Sequence, residues 1–177
     1  MKKILFLLLI VSLTAFGQRP EIHSEVIVNA PVSDVYNAWT TTEGIKTFFA
    51  PGGNIELKPN GFYEIYMLPE AEPGQRGADS MRVMAFEKDK MLAFTWNAPP
   101  YFPELRHQLT HVQIFFEPAG ENKTKVTFIH DGFGTSPEWK KLHEYFTNAW
   151  TNVILPRLKQ RFDEGPVDWS KIMNRKK

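Results

Sequence analysis

Residues 23–29 (His-Ser-Glu-Val-Ile-Val-Asn) are rich in β-branched side chains and stop at Ala30-Pro31, where proline closes a strand and can open a helix. The period then lengthens. Val32, Val35, Tyr36 and Trp39 fall at i, i+3, i+4 and i+7, one face of a short amphipathic helix. A second short helix starts at the capping run Thr40-Thr41-Thr42-Glu43, carries Ile45, Phe48 and Phe49, and breaks at Pro51-Gly52-Gly53.

From there the period is two. Residues 54–58 and 61–68 flank Pro59-Asn60-Gly61 and predict a hairpin whose Asn-Gly pair tolerates positive φ. In its second strand Tyr63, Ile65 and Met67 share one face; Phe62, Glu64 and Tyr66 share the other, which the charge of Glu64 marks as outward. A polar loop over 69–79 leads to a second antiparallel pair, 81–87 and 91–96, in which Leu92, Phe94 and Trp96 alternate. Residues 97–105 hold three prolines with Tyr101 and Phe102, longer than a hairpin needs, and read as a rim or lid. Two more strands follow, 108–117 and 124–130.

Thr135-Ser136-Pro137-Glu138 then opens the longest element, a helix over 137–162. Trp139, Leu142, Phe146, Ala149, Trp150, Val153 and Ile154 form its apolar stripe, and Pro156 should kink it at the carbonyl of Asn152. Asp163-Glu164-Gly165-Pro166 ends it, and a basic tail over 164–177 reads as solvated.

The order strand, two short helices, six strands and one long helix predicts an α+β helix-grip fold. A seven-stranded antiparallel sheet with one apolar face needs a cover, and the long helix is the element able to supply it. A twisted sheet curled around a helix cannot touch it along its whole length, so a cavity or cleft is expected between them.

The first 17 residues stand apart. Lys2 and Lys3 precede an unbroken apolar run over 4–11, and Ala15 and Gly17 suit a peptidase's small subsites, so a secretory signal cut after Gly17 is expected. The run is too short to span a bilayer and no cysteine follows it for a lipid anchor, so export to the periplasm or the medium, with no stable membrane anchor, is the expectation. The remaining domain runs over 18–163. Lys and Arg total 21 against 20 Asp and Glu, with no basic stripe, which argues against nucleic acid as a partner. The absence of cysteine removes disulfides, thiolate metal sites and thiol nucleophiles.

Several stretches resemble the START-like helix-grip superfamily (SRPBCC), in the branch named for the activator of the ninety-kilodalton heat-shock protein's ATPase. The stretches are 28–40 (Val-Asn-Ala-Pro-Val-Ser-Asp-Val-Tyr-Asn-Ala-Trp-Thr), 57–63, 92–96 and above all 124–134 (Thr-Lys-Val-Thr-Phe-Ile-His-Asp-Gly-Phe-Gly) with Trp150. Where much of that branch has a second glycine at the hairpin, this chain has Asn60. The resemblance covers about 25–162 and implies one helix-grip domain with a hydrophobic pocket between sheet and helix. Its members range from lipid and small-molecule carriers to cyclases and co-chaperone modules, so it specifies fold better than activity. An exported protein would not meet a cytoplasmic chaperone.

Tyr63, Ile65, Met67, Phe94, Trp96, Ile114, Phe128, His130, Phe146 and Trp150 are expected to line that pocket, the first eight from strand faces assigned toward the long helix and the last two from that helix's own apolar stripe. Taken singly, each aromatic can equally be core. No catalytic residue is assigned. The candidate is His130, whose ordinary pKa near 6.5 suits proton transfer, set against a histidine that merely holds the Asp131-Gly132-Phe133 turn. Asp131 points to the opposite strand face, which weakens a dyad. His107 and His111 lie about 13 Å apart if extended, too far for one metal ion, and no phosphate loop, dinucleotide fingerprint or nucleophile elbow is present, so no metal or cofactor is expected. The expected activity is binding or carriage of a small hydrophobic molecule. The alternatives are a cyclase- or hydrolase-like enzyme using His130 with Tyr63 as electrophile, and an interaction module whose 97–105 loop docks a partner protein.

Overall fold

The computed structural model describes residues 19–174, so the expected signal segment and cleavage point lie outside the described residues. Strand β1 (Ile22–Val28) ends at Pro31, and α1 (Val32–Thr40) buries Val35, Tyr36 and Trp39 as their spacing predicts. Thr41 caps α2 (Thr42–Lys46) by accepting the Gly44 amide at 3.0 Å. Five strands, β1, β5 (Val83–Glu87), β6 (Met91–Trp96), β7 (Thr110–Pro118) and β8 (Thr124–Asp131), form an antiparallel sheet in the order β1-β8-β7-β6-β5. Alternate residues of β7 (Val112, Ile114, Phe116) and β8 (Val126, Phe128, His130) face inward and are buried.

The expected seven-stranded sheet is instead two sheets. Strands β2 (Gly52–Ile55), β3 (Tyr63–Tyr66) and β4 (Gly77–Ala78) make a second, three-stranded sheet, joined to the first by the Phe62–Arg82 bridge. A register shift between Val83 and Ala85 disturbs the β5–β6 ladder just beyond that junction, where an irregularity bends a strand and lets the two sheets curve away from one another. Strand β4 falls inside the stretch read as a polar loop; two residues are too few to show a period. The predicted hairpin forms with a longer connection than expected, β2 ending at Ile55 and β3 starting at Tyr63, and of the Asn-Gly pair Asn60 takes the positive φ (59°) while Gly61 does not.

The long helix crosses the concave face in three pieces: α3 (Pro137–Ala149), a π-helical turn over Trp150–Ile154, and α4 (Leu155–Asp163). Ser136 caps α3 by accepting the Trp139 amide. The predicted disturbance at Pro156 takes the form of that wider turn, which eases the proline ring past the Asn152 carbonyl it would crowd in an α-helix. The tail departs from expectation. Beyond Gly165 the chain folds back, the Val167 amide donates to the Thr47 carbonyl at 2.8 Å, and α5 (Trp169–Asn174) sets the Trp169 indole against the Lys46 carbonyl and the Arg157 guanidinium. A tryptophan supplies enough apolar area and a donor to dock an otherwise charged segment.

Candidate functional site

Between α3, the end of β6 and the β3–β4 edge lies a cleft of about 450 Å³. Trp96 and Asn97 form its inner wall, Tyr145 and Phe146 of α3 one side, Met67, Leu68, Gly77 and Ala78 the other, and Pro99, Pro100 and Tyr101 its rim. The lining is predominantly apolar with aromatic faces, the character of a small-molecule site. Tyr101, 63% exposed, packs edge-on against Tyr145 with ring centroids 5.6 Å apart, tying the proline-rich loop to the helix. The loop over 97–105 is thus a rim, as its composition predicts.

Three of the ten residues expected at the pocket, Met67, Trp96 and Phe146, line this cleft. The other seven, Tyr63, Ile65, Phe94, Ile114, Phe128, His130 and Trp150, are fully buried and lie outside its lining. Tyr63 stacks on Phe94 at 3.9 Å and donates its hydroxyl to the Trp39 carbonyl at 2.9 Å, so it holds α1 to the sheet and presents no electrophile to the cleft. Trp150 fills the seam between helix and sheet, in contact with Phe49, Trp96 and Phe128. Around Trp150 aromatic side chains close the gap between the two layers, and the cleft lies at one end of the seam, where α3 rises over β6.

His130 is 0% exposed, with both ring nitrogens engaged. The Trp150 indole N–H donates to Nδ1 at 3.0 Å, which leaves the proton on Nε2, 2.8 Å from the Thr110 hydroxyl. That hydroxyl in turn donates to the Trp96 carbonyl at 3.1 Å. Burial, with smaller contributions from the charges of His143 and His111, pushes the imidazole down to about 3. A neutral, sealed imidazole has no access to a substrate in the cleft. The catalytic role considered for His130 is corrected accordingly: it is a structural joint beneath the cleft wall, and it braces Trp96 and Trp150 where a turn-holding role had been the alternative. Asp131 faces the other side, pairing with His111 Nδ1 at 3.1 Å and Gln113 Nε2 at 3.1 Å. No cluster of three metal-ligating side chains occurs among the described residues.

The polar groups that shape the cleft lay outside the expected set. Arg106 Nη2 donates to the Gly74 and Gly77 carbonyls at 2.6 and 3.0 Å and lies 3.6 Å from Asp79, while its Nη1 donates to the Ala98 carbonyl. One guanidinium thus joins the two loops that form opposite walls. Burial lowers its pKa, and Asp79 partly offsets this. Asp79, 5% exposed, accepts from the Gly74, Arg76 and Gly77 amides and from Arg76 Nε at 2.7 Å; burial would raise its carboxyl, but those partners outweigh it and hold it below the usual range. Glu64, read as outward, is 7% exposed. Its carboxylate accepts from Ser80 N at 2.8 Å, Tyr66 Oη at 2.8 Å and Asn54 Nδ2 at 3.2 Å, which compensates its burial. The Tyr66 hydroxyl is pushed up to about 12 by burial and by that carboxylate.

A curved antiparallel sheet closed by one C-terminal helix, with an apolar cleft at one end of the seam, defines a helix-grip protein. The family described as Activator of Hsp90 ATPase homolog 1-like protein matches residues 29–163, and the chain belongs to it. A search of curated proteins gives no match. Among solved structures, protein MLL2253 from Mesorhizobium loti superposes with a TM-score of 0.66 at 19% identity, covering 84% of this chain and all of that one. The Aha1 dimer from Colwellia psychrerythraea gives 0.63 at 19% identity, with 82% and 98% covered. PFC0360w, an HSP90 activator from Plasmodium falciparum, gives 0.59 at 16% identity, with 83% and 97% covered. At these identities the likeness establishes the fold.

Proposed function

We propose that this protein binds or carries a small hydrophobic molecule in the cleft between α3, β6 and the β3–β4 edge. The observation that carries this reading is the cleft itself: about 450 Å³ lined by Trp96, Tyr145, Phe146 and Met67, with its two loop walls joined through Arg106. Such a site is held open before a ligand arrives, so little ordering entropy opposes binding. The leader-like segment over 1–17 supports export to the periplasm or the medium, and N-terminal sequencing of the cell-derived protein should find Gln18 first.

Mass spectrometry of an organic extract from protein purified without detergent tests the central reading. An apolar small molecule present at near-equimolar amount supports it. An empty extract, together with no binding of naphthalene-type probes by calorimetry, overturns it.

A second reading has its own observation. Tyr101, Leu68 and Leu109 are exposed apolar side chains, and the first two stand at the cleft mouth. They support a partner protein docking on the 97–105 loop, as interfaces favour exposed aromatics. Deleting residues 99–102 should then remove a co-purifying protein while the circular dichroism spectrum stays unchanged.

A further inference from the structure

Trp96 forms the inner wall of the cleft and is 5% exposed. On the core side its ring packs against Phe49, Phe94 and Trp150, with centroids 5.8, 5.7 and 5.3 Å away, so the part left uncovered is the part that borders the cleft. Among the described residues four buried polar side-chain atoms lack a partner and are sealed from solvent: Tyr36 Oη, Trp39 Nε1, Asp89 Oδ1 and Asn97 Oδ1. The Trp96 indole nitrogen is not one of them, and it too has no hydrogen-bond partner among the described residues. By contrast the Trp150 and Trp169 indoles donate to His130 and to the Lys46 carbonyl. Trp96 Nε1–H is thus an unpaired donor that solvent still reaches, and the opening Trp96 borders is the cleft. The acceptors around it are taken or out of reach. Asn97 Oδ1 is sealed, the Trp96 carbonyl accepts from Thr110 at 3.1 Å, and the Gly77 carbonyl accepts from Arg106 at 3.0 Å.

Resting on the reading of this cleft as a small-molecule site, we infer that the Trp96 indole N–H sets its specificity by donating a hydrogen bond to a carbonyl oxygen of the ligand. The ligand class that follows is a flat, largely apolar ketone, aldehyde or ester. A carbonyl brings lone pairs and no proton, which matches a wall that offers a donor and no free acceptor. A hydroxyl would accept from the indole but bury a proton of its own without a partner. A carboxylate would lose its hydration for a neutral donor, since Arg76, a cation on the cleft lining, is already paired with Asp79 at 2.7 Å. A hydrocarbon would leave the indole as it is. The aromatic walls from Trp96, Tyr101 and Phe146 suit a fused-ring body, and the volume admits two rings with room to spare.

The test compares 2-acetylnaphthalene with 2-isopropenylnaphthalene, which share ring and outline and differ in the carbonyl oxygen, by isothermal calorimetry on the full chain. The alkene is the greasier molecule, so the quantity that decides is the ratio of the two affinities in wild type against the same ratio in Trp96→Phe, which keeps an aromatic ring and loses the donor. The ratio should shift roughly fivefold against the ketone in the variant, the size of one net hydrogen bond. In ¹H–¹⁵N spectra of wild type, the indole signal of Trp96 should move downfield with the ketone and not with the alkene. An unchanged ratio, or a Trp96 signal that responds alike to both probes, overturns the inference while leaving the hydrophobic-cleft reading intact. Failure of both probes to bind overturns both. Should Trp96→Phe fail to fold, the wild-type spectra alone decide, since they require no variant.

Discussion

Trp150 donates its indole N–H to Nδ1 of His130, 3.0 Å away, and thereby joins the long helix to the end of β8 in the interior of the molecule. Through Thr110 the same chain of hydrogen bonds continues to the Trp96 carbonyl, and the Trp96 ring lies 5.3 Å from that of Trp150, so the polar chain and the aromatic packing close on each other. Trp150→Phe keeps most of the apolar volume and removes the donor. It should cost about 2 kcal/mol, the penalty for leaving a buried imidazole nitrogen unpaired. Trp150→Ala should cost roughly 3–5 kcal/mol, since it adds a cavity. Urea unfolding of the two variants beside wild type measures both, and a Trp150→Phe variant as stable as wild type would show that the hydrogen bond contributes nothing.

The same histidine predicts acid sensitivity. Its folded value of about 3 lies below the unfolded value near 6.5, so below pH 6.5 the unfolded chain takes up a proton that the folded chain refuses. Stability should therefore fall as pH drops from about 6.5 toward 3, by up to about 1.4 kcal/mol per pH unit from this group, and be insensitive to it above 7. Comparing urea midpoints of wild type and His130→Gln across pH 4–8 isolates the effect, because the carboxylates titrate in both. Parallel curves would refute it.

Arg106→Met should release the two walls from each other. The guanidinium contacts three backbone carbonyls and Asp79, and its methionine isostere contacts none. A loss of about 2–3 kcal/mol is expected, with faster amide hydrogen exchange at residues 74–78 and 97–101 than in the five-stranded sheet. Lysine should not rescue it, because a single ammonium cannot reproduce the planar fork. Exchange that quickens uniformly over the whole chain would contradict a local clamp.

Met67→Glu separates folding from binding. Met67 is partly exposed on the cleft side, so a carboxylate there stays solvated and stability should change by no more than about 0.5 kcal/mol. The charge faces the apolar lumen, so affinity for naphthalene-type probes should drop tenfold or more. Undiminished binding in this variant would place the ligand elsewhere.

Much of this architecture is legible in the amino-acid order where periodicity is long and unambiguous. The stripe from Trp139 to Ile154 and the alternation along residues 124–130 mark the helix and the sheet it covers, and together they announce a seam. What periodicity cannot convey is where the seam fills. Ten inward positions look alike in sequence, yet Phe49, which the structure places in the turn after α2 and not in the predicted helix, reaches Trp150 and Trp96 and helps close the middle, leaving Trp96, Phe146 and Met67 at the open end. Glu64 was misread because a charge on alternate positions ordinarily means solvent; the amide of Ser80, sixteen residues on, turns it inward. Arg106 and Asp79 lie in irregular loops whose hydrogen bonds follow no repeat, so their partnership emerges only in three dimensions.

The π-helical turn over Trp150–Ile154 inserts one residue's worth of rotation, so the stretches before and after it are phased independently. Winding the same five residues as ordinary α-helix would swing Leu155 and Leu158 about 100° from the places they now occupy, while Phe146 and Trp150 kept theirs. Evolution or design can thus retune the cleft end of this molecule and its anchoring end separately, as two screws cut on a single shaft.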